Sequence, residues 1–223
     1  MNPIGRGTVG PMSTPTLFHN PNCSKSRAAK ELVEERGIEV MSDEIYEPFC
    51  YDSEFVSPAK FFKAPITISG LSKSVAMTGW RVGWVAGPAP LIKAITDVQQ
   101  YTFVCAPSMA QEAALVALHH DMRPTCDDYR ERRDIIYNGL VNAGYNVQKP
   151  GGAFYIFPEA PNGNATTFVD ECIANKLLVV PGNVFSSRNT HFRISYAQSR
   201  ETLRRGIEVM SRLAEKYQVG AKR

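Results

Sequence analysis

The chain has 223 residues, with 43% hydrophobic and 21% charged side chains and a formal charge of +3. This is ordinary globular composition, long enough to bury a real core. The charge is too small, and the basic residues too dispersed, for a nucleic-acid or anionic-membrane partner. Cys23, Cys50, Cys105, Cys126 and Cys172 are far apart with no C-x-x-C pair, which argues against a disulfide framework or a metal site and for reduced thiols in the cytoplasm. No apolar run approaches the ~18 residues of a membrane span, and no signal-peptide core opens the chain.

Residues 1–11, rich in Gly and Pro, read as a flexible leader. Thr16–Phe18 reads as the start of a strand, HNPNCS as a turn, and Ser26–Arg36 as a helix stopped by Gly37. Ile38–Ser42 reads as a buried strand ending at Asp43. Ile66–Ser69, just before Lys73, and Val82–Ala86 make two more strands. Ala89–Tyr101 and Ser108–His120 have helical patterning, broken at Cys105-Ala106-Pro107, and Asp127–Leu140 is a long amphipathic helix joining two subdomains. After Gly144 short strands are expected at Gly152–Phe157, Leu177–Val180 and His191–Tyr196, with helices at Thr166–Asn175 and Ser199–Tyr217. Ser199 is the expected N-cap of the last helix, which carries Leu203, Ile207, Met210 and Leu213 along one face. The alternation predicts an α/β sheet-and-helix domain over 41–140 and a small α+β domain over 141–223.

Four segments carry candidate chemistry: SDEIY with Asp43 and Tyr46, SGLSK with Lys73, MTGWRVGW with Arg81, and HFRISYA with Arg193. Taken singly, each residue has an ordinary structural explanation: a strand-end cap, a loop cation, a buried ion-pair arginine, an edge-strand arginine. In combination they fit pyridoxal phosphate. Ligands bind beyond the carboxyl ends of strands in open α/β sheets, and a carboxylate there, Asp43, can keep a pyridine nitrogen protonated. Tyr46 can direct its hydroxyl at the ring's 3-oxygen. Lys73 can attach to an aldehyde and then move a proton. Arg81 and Arg193 offer planar donor forks for a phosphate and a substrate carboxylate.

SDEIYEPFCYD, SGLSKSVAMTGWRVGWVAGP, GGAFYIFP and HFRISYA resemble the class I/II pyridoxal-phosphate-dependent aminotransferases of the aspartate aminotransferase superfamily, from about Met41 to Arg223. The eight-residue step from Lys73 to Arg81 is also the family's. The resemblance implies a partial aminotransferase-type large domain followed by the small domain, and a homodimer acting on amino acids and 2-oxo acids. By the same likeness Lys73 is the catalytic lysine, Asp43, Tyr46, Lys73 and Arg81 bind the cofactor, and Arg193 binds the substrate carboxylate.

Two departures stand out. The position three before Lys73, serine in some members, is Gly70, with Ser72 a substitute phosphate donor. Only 42 residues precede Asp43, so the family's N-terminal arm, phosphate loop, ring-stacking aromatic and N-P-x-G asparagine have no full counterpart; Asn2 in MNPIG is too far from Asp43 to serve. Met12–Val40 resembles instead the first strand, loop and helix of thioredoxin-fold arsenate reductases, in which the cysteine matching Cys23 is the nucleophile and the arginine matching Arg27 favours its thiolate. A chimera joined near Val40 and Met41 accounts for both likenesses. The readings that follow are an aminotransferase, whether active or truncated and inactive; a non-catalytic fragment or engineered scaffold; a C–S lyase on the same fold; and a Cys23 thiol enzyme.

Overall fold

In a computed structural model, which describes residues 31–33 and 35–219, the chain forms two three-stranded sheets joined by helices. Cys23, Arg27 and most of the strand-loop-helix expected over 12–40 lie outside the described residues. Gly37 does end a helical turn: its φ of +60° is readily available to glycine, and Ile38 N donates back to Val33 O at 3.0 Å.

In the first sheet β1 (Met41–Asp43) runs parallel to β2 (Ile66–Gly70), and β2 pairs antiparallel with β3 (Gly83–Ala86). The register sets Asp43 opposite Ile68 and Gly70 opposite Gly83. β1 is not the buried strand its sequence suggested. Ile38 is 48% exposed and Met41 64%, because β1 has one described neighbour and its own residues are exposed or half-buried.

α1 (Ala89–Gln100) opens on Pro90 in its first turn, where a missing N–H costs nothing. α2 (Ser108–Ala117) buries Ala110 and Ala114. Ala114 packs with Leu71 and Met77, which anchors the loop between β2 and β3.

α3 (Arg123–Asn142) starts earlier than its charge pattern suggested. Pro124 fits the first turn, and Asp121 Oδ1 accepts the amide of Arg123 at 3.0 Å. It buries Cys126, Arg133, Ile136 and Leu140, at helical spacing on one face. Gly139 lets α3 approach α5 (Arg200–Lys216): a Cβ there would stand 2.6 Å from the Ile207 side chain. Ser199 caps α5, its Oγ accepting Thr202 N at 3.1 Å, and Asn164 caps α4 (Ala165–Ala174) in the same way.

The second sheet is β4 (Tyr155–Ile156), β5 (Val180–Pro181) and β6 (Phe192–Ser195), in the order β4-β6-β5 and antiparallel throughout. Its strands are shorter than the apolar runs predicted. Ala153, with φ +57°, breaks the extended run before β4, and Leu178 is 84% exposed ahead of β5. Phe168, Phe192, Tyr196, Cys172 and Leu140, each fully buried, form the centre of the core beneath this sheet.

A clasp joins the first sheet to the second. Ala153 N donates to Phe49 O and Tyr51 N to Gly151 O, each at 2.9 Å. Gly152 is needed here, since a Cβ would stand 2.6 Å from Phe49 O. The hydroxyls of Tyr51 and Tyr196 both donate to Ala153 O, the latter at 3.0 Å. Behind them Arg133, 1% exposed, stacks over the Tyr51 ring at 4.8 Å. Its guanidinium donates to Asp52 at 2.6 Å, Asp134 at 3.0 Å and Pro150 O at 3.1 Å.

Candidate active site

Asp43 ends β1 with its side chain exposed; Oδ1 accepts Ile45 N at 3.3 Å and no cation pairs with it among the described residues. Strand alternation turns the next residue inward. Glu44 is 7% exposed and accepts the Ser57 hydroxyl at 2.6 Å, so it supports the turn rather than the surface.

Lys73 lies in the turn after β2, half-buried, and among the described residues no hydrogen bond or ion pair engages its amine. Backbone bonds from Leu71 N to Val82 O and from Met77 N to Leu71 O pin this loop at both ends. Arg81 follows the short helical turn Thr78–Trp80 in the left-handed region, φ 56° and ψ 45°. This conformation is costly for a side chain with a Cβ. One guanidinium nitrogen donates to Thr78 O at 3.0 Å, and the side chain is exposed. Because β1 and β2 are parallel, Asp43 and the Lys73 turn leave the same sheet edge, and β3 begins there just after Arg81. Gly70 and Gly83 face one another with no room between them: a Cβ on Gly70 would lie 2.9 Å from Val82 O.

Tyr46 belongs to a second cluster on the clasp side. Its hydroxyl donates to the Tyr155 hydroxyl at 3.4 Å, and its ring meets Phe154 and Tyr155 edge-on. Burial, then the bond to Tyr155, pushes the Tyr46 phenol well above its ordinary value; Arg193 opposes this shift and Asp43 adds to it.

Arg193, half-buried in β6, packs on two rings, with Cζ 4.3 Å from the Tyr155 centroid and 4.1 Å from that of Phe185. It has no carboxylate partner among the described residues. The structure thus groups Asp43, Lys73 and Arg81 at one edge and Tyr46 with Arg193 through Tyr155. Tyr155 and Phe185 were not assigned from sequence. Alternation in GGAFYIFP was the available signal for Tyr155, because Phe154 and Ile156 are buried and Tyr155 is turned outward. A cavity of about 670 Å³ lies behind the Lys73 turn, lined by Ser74, Met77, Val116, His120 and Thr125 among others, and none of the five site residues faces it.

This fold and site define an α/β protein with two clasped sheets, the first of which bears amine, carboxylate and guanidinium groups beyond its strand ends. The family described as aminotransferase class I and II matches residues 20–210, and the chain belongs to it. The chain is similar to a probable aspartate aminotransferase of Methanocaldococcus jannaschii, at 37% identity over 83% of this chain and 52% of that protein. A probable N-acetyl-LL-diaminopimelate aminotransferase of Bacillus subtilis is 40% identical over 82% of this chain and 48% of its own length. The crystal structure of aspartate aminotransferase from Thermotoga maritima superposes with a TM-score of 0.79 at 30% identity, over 84% of this chain and 50% of that one. The chain spans about half the length of the curated relatives it matches. No described helix is long and apolar enough to cross a membrane.

Proposed function

We propose that this chain carries the lysine-bearing part of a pyridoxal-phosphate-dependent transamination site, which exchanges an amino group between an amino acid and a 2-oxo acid. The observation that carries the reading is the shared edge of Asp43, Lys73 and Arg81, with Tyr46 and Arg193 linked through Tyr155. The donor set fits the cofactor: among the described residues, a carboxylate without a cation, an amine without a partner, and an exposed guanidinium held at a fixed backbone position. When bound, pyridoxal phosphate supplies an aldehyde and a ring that withdraws electrons from the substrate's α-carbon.

The residues divide the remaining work. Asp43 would hold a proton on the ring nitrogen, and Tyr46 would direct its hydroxyl at the 3-oxygen. Lys73 Nζ would hold the cofactor through its aldehyde, with loss of water, and once displaced by the substrate amine would be free to move a proton at the α-carbon. Arg81 would grip the phosphate, and Arg193 would orient the α-carboxylate with its donor fork. The reading includes a homodimer and a cytoplasmic location, the latter in keeping with the free thiols of Cys50, Cys105, Cys126 and Cys172.

The test is the visible absorbance of the purified chain with added pyridoxal phosphate, beside Lys73→Ala, followed by an amino-donor assay against a 2-oxo acid. A lysine-dependent band with amino transfer supports the reading. A band with β-elimination in place of transfer moves the function to a C–S lyase. Absence of a lysine-dependent band overturns the catalytic reading and leaves a non-catalytic fragment.

A further inference from the structure

We infer that Tyr155 is a positioning residue with two separable duties: its ring, with that of Phe185, fixes the plane of Arg193, and its hydroxyl orients that of Tyr46. This rests on the roles proposed above for Arg193 and Tyr46, and it gives one side chain control over both ends of the substrate–cofactor pair.

The ring duty follows from the two cation–π contacts. With aromatic centroids at 4.3 and 4.1 Å from Cζ, two rings lie within cation–π reach of the guanidinium, and no hydrogen bond or carboxylate engages its donors among the described residues. The rings satisfy the cation through their quadrupoles without consuming any N–H donor. An aspartate or glutamate in their place would compete with substrate for the same fork, whereas two rings leave the donors free for an in-plane carboxylate. β4 supplies Tyr155, paired with Ser195 of β6, and the turn after β5 supplies Phe185, whose amide bonds to Gly182 O at 2.9 Å. The two rings are therefore fixed by separate backbone elements.

The hydroxyl duty follows from proton counting. Tyr46 has one hydroxyl proton, which it donates to Tyr155. Directed at an acceptor such as the 3-oxygen, that proton leaves Tyr155, and Tyr155 must then donate to Tyr46 to keep the pair bonded. At 3.4 Å the contact is long for a hydroxyl pair, so the reversal displaces little. Arg193 lies over the ring that carries this hydroxyl, so a carboxylate bound at Arg193 changes the charge beside the Tyr155–Tyr46 pair. Substrate capture is thereby felt at Tyr46.

The experiment compares Tyr155→Phe, Tyr155→Leu and Phe185→Leu in the full chain by NMR. It follows the Arg193 side-chain Nε–Hε resonance and the ring carbon bearing the Tyr46 hydroxyl during titration with acetate. Wild type should show an upfield, ring-shifted Arg193 signal that moves with acetate, and a coupled change at Tyr46. Tyr155→Phe should keep the ring shift and the acetate affinity but lose the Tyr46 response. Tyr155→Leu and Phe185→Leu should each lose much of the ring shift, with acetate affinity falling about tenfold. An Arg193 signal without ring shift in wild type, or Phe and Leu variants that behave alike, overturns the inference. None of these readouts requires bound cofactor, so failure of the transamination reading at Lys73 remains distinguishable from failure here.

Discussion

Replacing Arg133 with methionine isolates the contribution of the clasp. The substitution keeps an apolar side chain in the site and removes the cation. Loss of the stacking on Tyr51 costs about 0.5–2 kcal/mol, and Pro150 O, left without its donor, costs about 1–3 kcal/mol. Asp52, with its side chain 57% exposed, rehydrates, so that contact adds under about 1 kcal/mol. Asp134 retains Lys149 at 2.9 Å and loses little. The sum centres on about 3 kcal/mol, which for a chain of this length lowers the melting temperature by about 6–12 °C. Thermal unfolding followed by far-ultraviolet circular dichroism reads this directly, with Asp52→Asn as a control expected to fall by about 2 °C. Equal losses in the two variants would refute the claim that burial of Arg133, rather than the surface ion pair, secures the clasp.

Gly70→Ser should lower the melting temperature by an amount equivalent to about 1–3 kcal/mol without strengthening pyridoxal-phosphate binding, because its Cβ meets Val82 O at 2.9 Å. A stable variant with tighter binding would refute this. Gly182→Ala should cost a similar ~1–3 kcal/mol in chemical denaturation, since its Cβ would lie 2.4 Å from His191 O. The same strain displaces Phe185 and weakens acetate binding at Arg193. Glu171 is held by Lys216 and then by Tyr217, which depress its carboxyl, and the same bond pushes the Tyr217 phenol up to about 12. A depressed carboxyl stabilises the fold above its ordinary range and loses that effect as pH falls through the lowered value; the raised phenol loses its effect as pH rises toward 12. The stability gap between wild type and Glu171→Gln, about 1–3 °C near neutrality, should therefore narrow at both extremes, and a pH-independent gap counts against the assignment.

Much of this fold was legible because its helices carry local signals. Ser199 and its apolar stripe announced α5, and the break at Pro107 separated α1 from α2. Strand lengths were not legible. Apolar composition marks GGAFYIFP as extended, but only the tertiary bonds to Phe49 and Tyr51 decide that Ala153 turns left-handed and β4 starts at Tyr155. Burial of Ile38–Ser42 was over-read for a related reason: an apolar run does not reveal how many neighbours its strand will have. In the candidate site, motif and spacing single out Asp43, Lys73 and Arg81, and the parallel pairing of β1 with β2 is what sets Asp43 and the Lys73 turn at the same end of the sheet. The contacts of Tyr155 and Phe185 with Arg193 were not legible, since they join residues from three separate strands and turns. Arg133 read only as one of several charges on an amphipathic helix, and burial is what makes it distinct.

The clasp also bears on how the chain acquires its structure as it is made. Tyr51 and Ala153, which it brings together, are 102 residues apart in sequence. Closing a loop of that length costs on the order of 4 kcal/mol of chain entropy before any contact repays it. At a ribosome adding ~5–20 residues per second, the 120 positions from Lys73 to Arg193 take about 6–24 s to appear. Throughout that interval the apolar side chains of Phe49 and Tyr51 lack the Ile194 and Tyr196 partners with which they are buried in the finished fold. The last β-strand, not the lysine turn, thus sets the moment of assembly, and folding yield in the cell should depend on holdase chaperones acting in that window.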